Sequence, residues 1–336
     1  MRSSLRRFVY LVVNGDKPYT WDLHRIDMSR FFSPRSPLAV ATAVVDAVLP
    51  RPRITFDAPS TEHHGGNMQF MLLGRDKVLG TDLTGRASIY DDGRHALRTA
   101  PALSGAKHSP VSIAVGDSLL YVLDSDHNGA KELCFEALVY ESVCGPDGTL
   151  FNDWRRHSLP APPCQPADVS ACAVVGGGSD LWVSVEEQGT YSFDTAGASW
   201  TKKGDWTLPF KGPAHYVPEH KLWFGLSSGD DCSNLFHAVD LAGRLSPPVP
   251  RNVWQDVETP KEWLPVGSFL VHLGAARFCI ARFFSDTSKG DDEISMNLVG
   301  VFTAVEVEPW GKGLRMVKHK SVCYRLSEIM LLQWVL

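Results

Sequence analysis

Between Ser179 and Leu226 the chain completes one structural unit and begins it again. Ser179-Asp180-Leu181-Trp182-Val183-Ser184-Val185 alternates like a strand, Gly189 to Asp194 follows after a turn, and Trp200 lies in a third run. Asp205 to Phe210 carries a Pro-marked exit, after which His220-Lys221-Leu222-Trp223-Phe224-Gly225-Leu226 restarts the cycle. Period-two alternation suits a strand with one buried face. A small antiparallel sheet cannot bury that face alone, so its recurrence predicts sheets stacked on one another, as in a β-propeller.

Other cycles fit the same frame. One runs through Met68–Leu73, Lys77–Asp82 and Gly85–Asp91; the next through Val111–Val115, Ser118–Asp124 and Cys134–Tyr140, closing on Trp154–Pro160. A fourth takes Ala214–Val217, Leu222–Leu226 and Asn234–Asp240, and a fifth Gly267–Leu273, Arg277–Phe284 and Leu298–Val307. Second strands aligned at Lys77, Ser118, Asp180, Lys221 and Ser268 fall about 40–50 residues apart, with one longer step that holds the insertion Pro160–Pro166. Five cycles plus strands at both ends predict a single all-β propeller over residues 5–326, six-bladed in preference to seven. Phe8 to Val13, followed by the turn Asn14-Gly15-Asp16 and a partner at Tyr19–Asp27, reads as the first strand. A closed ring leaves no open edge, so this strand is expected to pair near Val317–Leu326. Leu38 to Leu49 reads as a short helix or a buried strand, and residues 327–336 as a divergent, partly helical or exposed tail. Trp182 and Trp223 are expected to fill gaps between neighbouring sheets.

Composition narrows the function classes. A net charge of −5 gives no basic footprint for nucleic acid or an anionic membrane surface. The apolar run Phe8–Val13 is too short to span a bilayer. Seven cysteines without a Cys-x-x-Cys pair, and no Asn-x-Ser/Thr acceptor, point to a reducing compartment. Cytoplasm or nucleus is therefore expected. The start, with Arg2, Arg6 and Arg7 and no acid, leaves a mitochondrial transit peptide as the alternative.

Tyr191-Ser192-Phe193-Asp194-Thr195 and Phe236-His237-Ala238-Val239-Asp240 resemble the kelch pattern in which a strand ends on Asp before a turn. Longer phrases carry a family resemblance: Leu5 to Val13, Leu23-His24-Arg25-Ile26-Asp27, Arg30-Phe31-Phe32, Trp200 to Phe210, Tyr216 to Leu226 and His319 to Leu326. Together they resemble a large uncharacterised family of kelch or galactose-oxidase-like propellers expanded in cereal grasses. The resemblance implies a kelch-like propeller and a plant origin; it implies no chemistry.

Local motifs for chemistry are weak. Asp124-Ser125-Asp126-His127-Asn128-Gly129 begins like a calcium loop, but the twelfth position is Phe135 and the eighth Lys131, so a polar hairpin turn fits better. Asp286, Asp291, Asp292 and Glu293 around Lys289-Gly290 read as a solvated hairpin tip, and His63-His64 as a loop without further ligands. Gly176-Gly177-Gly178 lacks the Lys and helix of a phosphate loop and reads as a turn. No residue earns a catalytic, cofactor-binding or metal-ligating assignment, and no cofactor is expected. The expected role is a non-enzymatic scaffold, monomeric alone, that binds a protein partner through its loops. A propeller hydrolase or oxidoreductase with a channel-mouth site and a mitochondrial effector are the alternatives.

Overall fold

The computed structural model describes residues 5–32, 44–59, 66–125, 133–227, 235–243, 247–255, 260–286, 297–326 and 334–336. Among them the regular elements are strands, with a few 3-10 turns and no α-helix; the all-β class is as expected. The chain divides into two compact units, Met1–Val13 with Leu23–Ile54 and Pro209–Leu336, and Asn14–Asp22 with Thr55–Leu208.

The first strands are β1 (Phe8–Asn14), β2 (Thr20–Asp27), β3 (Val44–Ala47) and β4 (Pro52–Asp57). The second unit then builds three antiparallel meanders. These are β5 (Met68–Leu73), β6 (Lys77–Asp82), β7 (Ala87–Asp91) and β8 (Ala96–Ala100); β9 (Val111–Val115), β10 (Leu119–Leu123), β11 (Phe135–Cys144) and β12 (Leu150–Ser158); and β13 (Val169–Val175), β14 (Asp180–Val185), β15 (Gly189–Asp194) and β16 (Ser199–Gly204). Consecutive meanders share cores. Leu79 and Ile89 pack with Leu120, Val122, Leu138 and Trp154, and Tyr121 and Phe135 pack with Leu181, Val183 and Phe193. Each such side chain, fully buried, contributes roughly 1.5–3 kcal/mol.

The first unit holds β17 (Phe210–Val217), β18 (Leu222–Ser227), β19 (Phe236–Val239) and β20 (Pro250–Trp254), then β21 (Trp263–Gly274), β22 (Arg277–Asp286), β23 (Asn297–Trp310) and β24 (Gly313–Leu326), and finally β25 (Trp334–Val335). Phe224 and Phe236 pack against Phe278, Ile280 and Val305. Val9, Leu11 and Val335 join Phe283, Phe302 and Tyr324 in a further cluster.

Two sequence rules explain the meanders. Strand-ending Asp residues form Asx turns: Asp194 Oδ1 accepts from Ala196 N at 3.0 Å, Asp240 from Ala242 N at 2.9 Å and Asp82 from Thr84 N at 2.7 Å. Outermost strands are exposed and carry cations (Arg98, Lys202, Lys203, Arg251), which protect an unpaired edge.

Several expectations need correction. β1 does not pair with the Val317–Leu326 stretch; its sheet runs β25-β1-β2-β4, with Leu11 opposite Val335. Both edges of β24 are already taken, one by β23 along Leu298–Trp310 and the other by β3 in parallel. Trp334–Val335 is therefore a strand rather than a helical or exposed tail; residues 327–333 lie outside the described ones. In the fifth cycle Ser268 lies on the first strand, β21, and the second strand begins at Arg277. A turn at the positive-φ pair Ala275 and Ala276 separates them, where the sequence offers none of the usual turn residues beyond Gly274. β3 is neither helical nor buried: Val45 is 45% exposed, and residues 38–43 lie outside the described ones. Trp182 meets Trp206 at 6.0 Å, and Trp223 meets Tyr216, its cross-strand partner, at 4.5 Å.

Gly225 supports a close approach. A Cβ there would overlap the Phe210 ring, which stacks on His237 at 4.8 Å and 12°. Gly225→Ala is expected to lose about 1–3 kcal/mol through this overpacking. Urea melts test it; unchanged stability would mean that the ring slides aside freely.

Candidate functional site

The motifs singled out in the sequence have structural roles where they are described. Asp124 Oδ1 accepts from His108 N at 2.9 Å, and Ser125 Oγ donates to the carbonyls of His108 and Ser109 at 2.9 and 2.7 Å. These bonds fix the β8–β9 connection. The rest of the calcium-like loop, Asp126 to Lys131, lies outside the described residues, as do His63, His64, Lys289, Gly290, Asp291, Asp292 and Glu293. Asp286 is buried on β22 and pairs with Arg325 at 3.3 Å. Gly176, Gly177 and Gly178 form a turn, all at positive φ. Among the described residues no group of three His, Cys, Asp or Glu is placed to hold a metal.

Three polar clusters went unread in the sequence. In the second unit Lys107 Nζ lies 2.6 Å from Glu136 Oε1, with side chains 3% and 1% exposed. Glu136 also accepts from Ser104 N and Oγ and faces Arg156 at 3.4 Å, while Lys107 donates to the Leu133 carbonyl. The carboxylate is surrounded by donors, which makes it a clamp on the 104–107 connection rather than a poised base.

In the first unit His215 on β17 and His272 on β21 face each other, rings 5.9 Å apart. Burial pushes His215 down to about 4, opposed by its bond with the Leu270 carbonyl and aided by Arg6. Burial and the neighbouring His215 push His272 down to about 3. Both imidazoles are neutral near pH 7. Glu306 lies between Arg277 at 3.4 Å and His319 at 3.3 Å, and the Phe32 ring packs against the Arg277 guanidinium and the His319 ring. In none of these clusters does a hydroxyl or thiol stand beside an imidazole, the arrangement nucleophilic catalysis needs.

The surface offers a different feature. β23 and β24 are 14 residues each, and their register runs out to Trp310 opposite Gly313. Leu314 and Met316, like Trp254, turn inward against the cluster of Phe224, Phe278 and Val305. Between them Arg315 turns outward, its guanidinium carbon 3.8 Å from the Trp310 ring centroid. Glu308, opposite Arg315 in register, accepts from its Nε at 2.6 Å. Trp310 is 61% exposed and Val253 on β20 is 52% exposed. Asn252 of β20 lies beside Gly313. Trp and Arg are among the residues most enriched at binding hot spots, and here Arg315 stacks on Trp310 while Glu308 holds Arg315. The β11–β12 hairpin of the second unit likewise exposes Tyr140, Leu150 and Phe151.

Residues 6–324 match the family described as "Protein of unknown function (DUF1668)". No curated protein matches the chain. Among solved structures, the chain is similar to the beta-propeller domain of Cps50 (Swd1) from Myceliophteria thermophila, at 11% identity and a TM-score of 0.41, over 95% of this chain and 88% of that one. It is also similar to a protein from Lactobacillus plantarum, at 12% identity and 0.43, over 98% and 99%.

Proposed function

The chain belongs to the DUF1668 family, proteins of unknown function, and from that premise we propose that it is a non-enzymatic interaction scaffold. In this reading the four-stranded meanders are blades of one six-bladed, kelch-like propeller, and a protein partner docks on the end of the β23–β24 hairpin. The observation that carries it is Trp310, exposed yet fixed by Arg315 and Glu308. An ordered anchor loses little side-chain entropy on binding.

The expected compartment is the cytoplasm or nucleus. Val9 and Leu11 are fully buried, and Arg7 pairs with Asp27 at 2.6 Å. Removing this segment as a leader would take a strand from the core, which favours the cytoplasmic or nuclear reading over mitochondrial targeting.

The test is a photo-crosslinking residue in place of Lys312, at the exposed turn beside Trp310. A single protein species is expected to crosslink in tissue extract, and Trp310→Ala is expected to abolish it. The thermal midpoint should stay within about 2 °C, because surface substitutions usually shift stability by less than ~0.5 kcal/mol. Crosslinking that is indifferent to Trp310→Ala would remove this hairpin from the proposal.

A further inference from the structure

The outer edge of β12 differs from those of β8, β16 and β20. It is nine residues long, against five or six for β8, β16 and β20, and among the described residues no strand lies against it. β8, β16 and β20 carry cations without an acid, which repels a second copy of the same strand. β24 is covered over Ser321–Tyr324 by β3. β12 reads Leu150-Phe151-Asn152-Asp153-Trp154-Arg155-Arg156-His157-Ser158, with both signs of charge and with Leu150 70% and Phe151 46% exposed. A long edge with apolar residues and no uniform charge is a template for another strand.

We propose that β12 pairs antiparallel with β12 of a second copy of this chain, across a two-fold axis at Trp154. This inference is independent of the hairpin reading above.

The backbone fixes the parity. Leu159 N donates to the Phe135 carbonyl, toward β11, so by alternation residues 150, 152, 154, 156 and 158 point their backbone groups outward. Trp154 N agrees: it donates to the Asp153 carboxylate at 2.6 Å instead of to β11.

A two-fold axis relating identical antiparallel strands must pass through one residue paired with itself. A half-step would relate a hydrogen-bonded pair to a non-hydrogen-bonded one, and these differ in geometry. Centring on Asp153 or Arg155 sets like charges directly opposite, which is destabilising. Centring on Trp154 sets Asp153 opposite Arg155 of the second copy, twice by symmetry. Phe151 then faces His157, and Asn152 faces Arg156. The outward-pointing pairs 154–154, 152–156 and 150–158 exchange backbone hydrogen bonds. The charged pairs fall at non-hydrogen-bonded positions, where side chains are closest. In the single chain Asp153 also accepts from Arg98 at 2.5 Å; pairing moves its carboxylate from the edge to the facing Arg155.

The experiment is sedimentation velocity over a concentration series from sub-micromolar to hundreds of micromolar. Wild type is expected to show a reversible dimer. Arg155→Asp and Asp153→Arg, each alone, put like charges opposite and are expected to weaken the dimer at least about tenfold. An equimolar mixture of the two variants pairs every charge with its opposite and is expected to recover a heterodimer. Circular dichroism confirms folding. If Asp153→Arg does not fold, Arg155→Asp in high salt decides, since screening should restore its dimer. A monomer at all concentrations overturns the proposal. So does a dimer indifferent to Arg155→Asp, or a mixture that stays monomeric. Monomers that bind only an extended foreign peptide along β12 would mean that the edge serves a different chain.

Discussion

Lys107→Met is expected to destabilise the protein by about 3 kcal/mol or more, the usual cost of removing one partner of a buried ion pair. The pair itself contributes little net stability, because desolvating both ions offsets most of their attraction. Breaking it is different. Glu136, 1% exposed, would be left with only Arg156 at 3.4 Å and the Ser104 donors for company. The double variant Lys107→Met, Glu136→Gln removes the stranded charge and keeps an acceptor for Ser104, so it is expected to regain at least half of the loss. Chemical denaturation of wild type and both variants reads the difference directly. A loss below about 1 kcal/mol for Lys107→Met would show that water reaches this carboxylate in solution, contrary to the dry clamp described.

The same cluster shows what the sequence could and could not carry. Alternation and turn chemistry are local, so Lys77–Asp82, Asp180–Val185 and Leu222–Ser227 were readable as second strands, and Asp194 as a strand end. Pairings between distant segments have no local signal. Lys107 with Glu136 and His215 with His272 meet only once segments far apart in sequence are brought together by the fold. The placement of β1 failed for that reason: β24 looked like a free partner until both its edges were occupied. Trp310 was legible in principle. Glu306-Val307-Glu308-Pro309-Trp310 and Leu314-Arg315-Met316-Val317-Lys318 alternate on either side of Gly311-Lys312-Gly313, a hairpin signal. The strand reading stopped at Val307, before that turn, so the exposed anchor was missed.

Acid is expected to destabilise the first unit well above the range in which most carboxylates titrate. His215 and His272 are held to about 4 and about 3 against an ordinary value of 6.5, and burial lowers His237 as well. A folded-state value below the unfolded one means that the unfolded chain binds more protons. The stability from keeping these rings neutral is therefore complete above about pH 6.5 and is lost as pH falls toward 4. For His215 and His272 together the loss by pH 5 is about 2–4 kcal/mol, discounted because both residues are only half-buried. Asp27 acts in a lower window. Its Arg7 hydrogen bond holds it near 2, so that its contribution fades only below its ordinary 3.8. Urea midpoints measured between pH 7.5 and 4.5 separate the two effects. Wild type should lose stability steadily below pH 6.5, while His215→Gln, His272→Gln should flatten most of that slope, whatever its own starting stability. The Leu270 carbonyl keeps an amide donor in place of His215 Nε2, and His272 Nε2, buried without a hydrogen-bond partner, loses no bond on replacement. An unchanged slope in the double variant would assign the acid sensitivity to other groups.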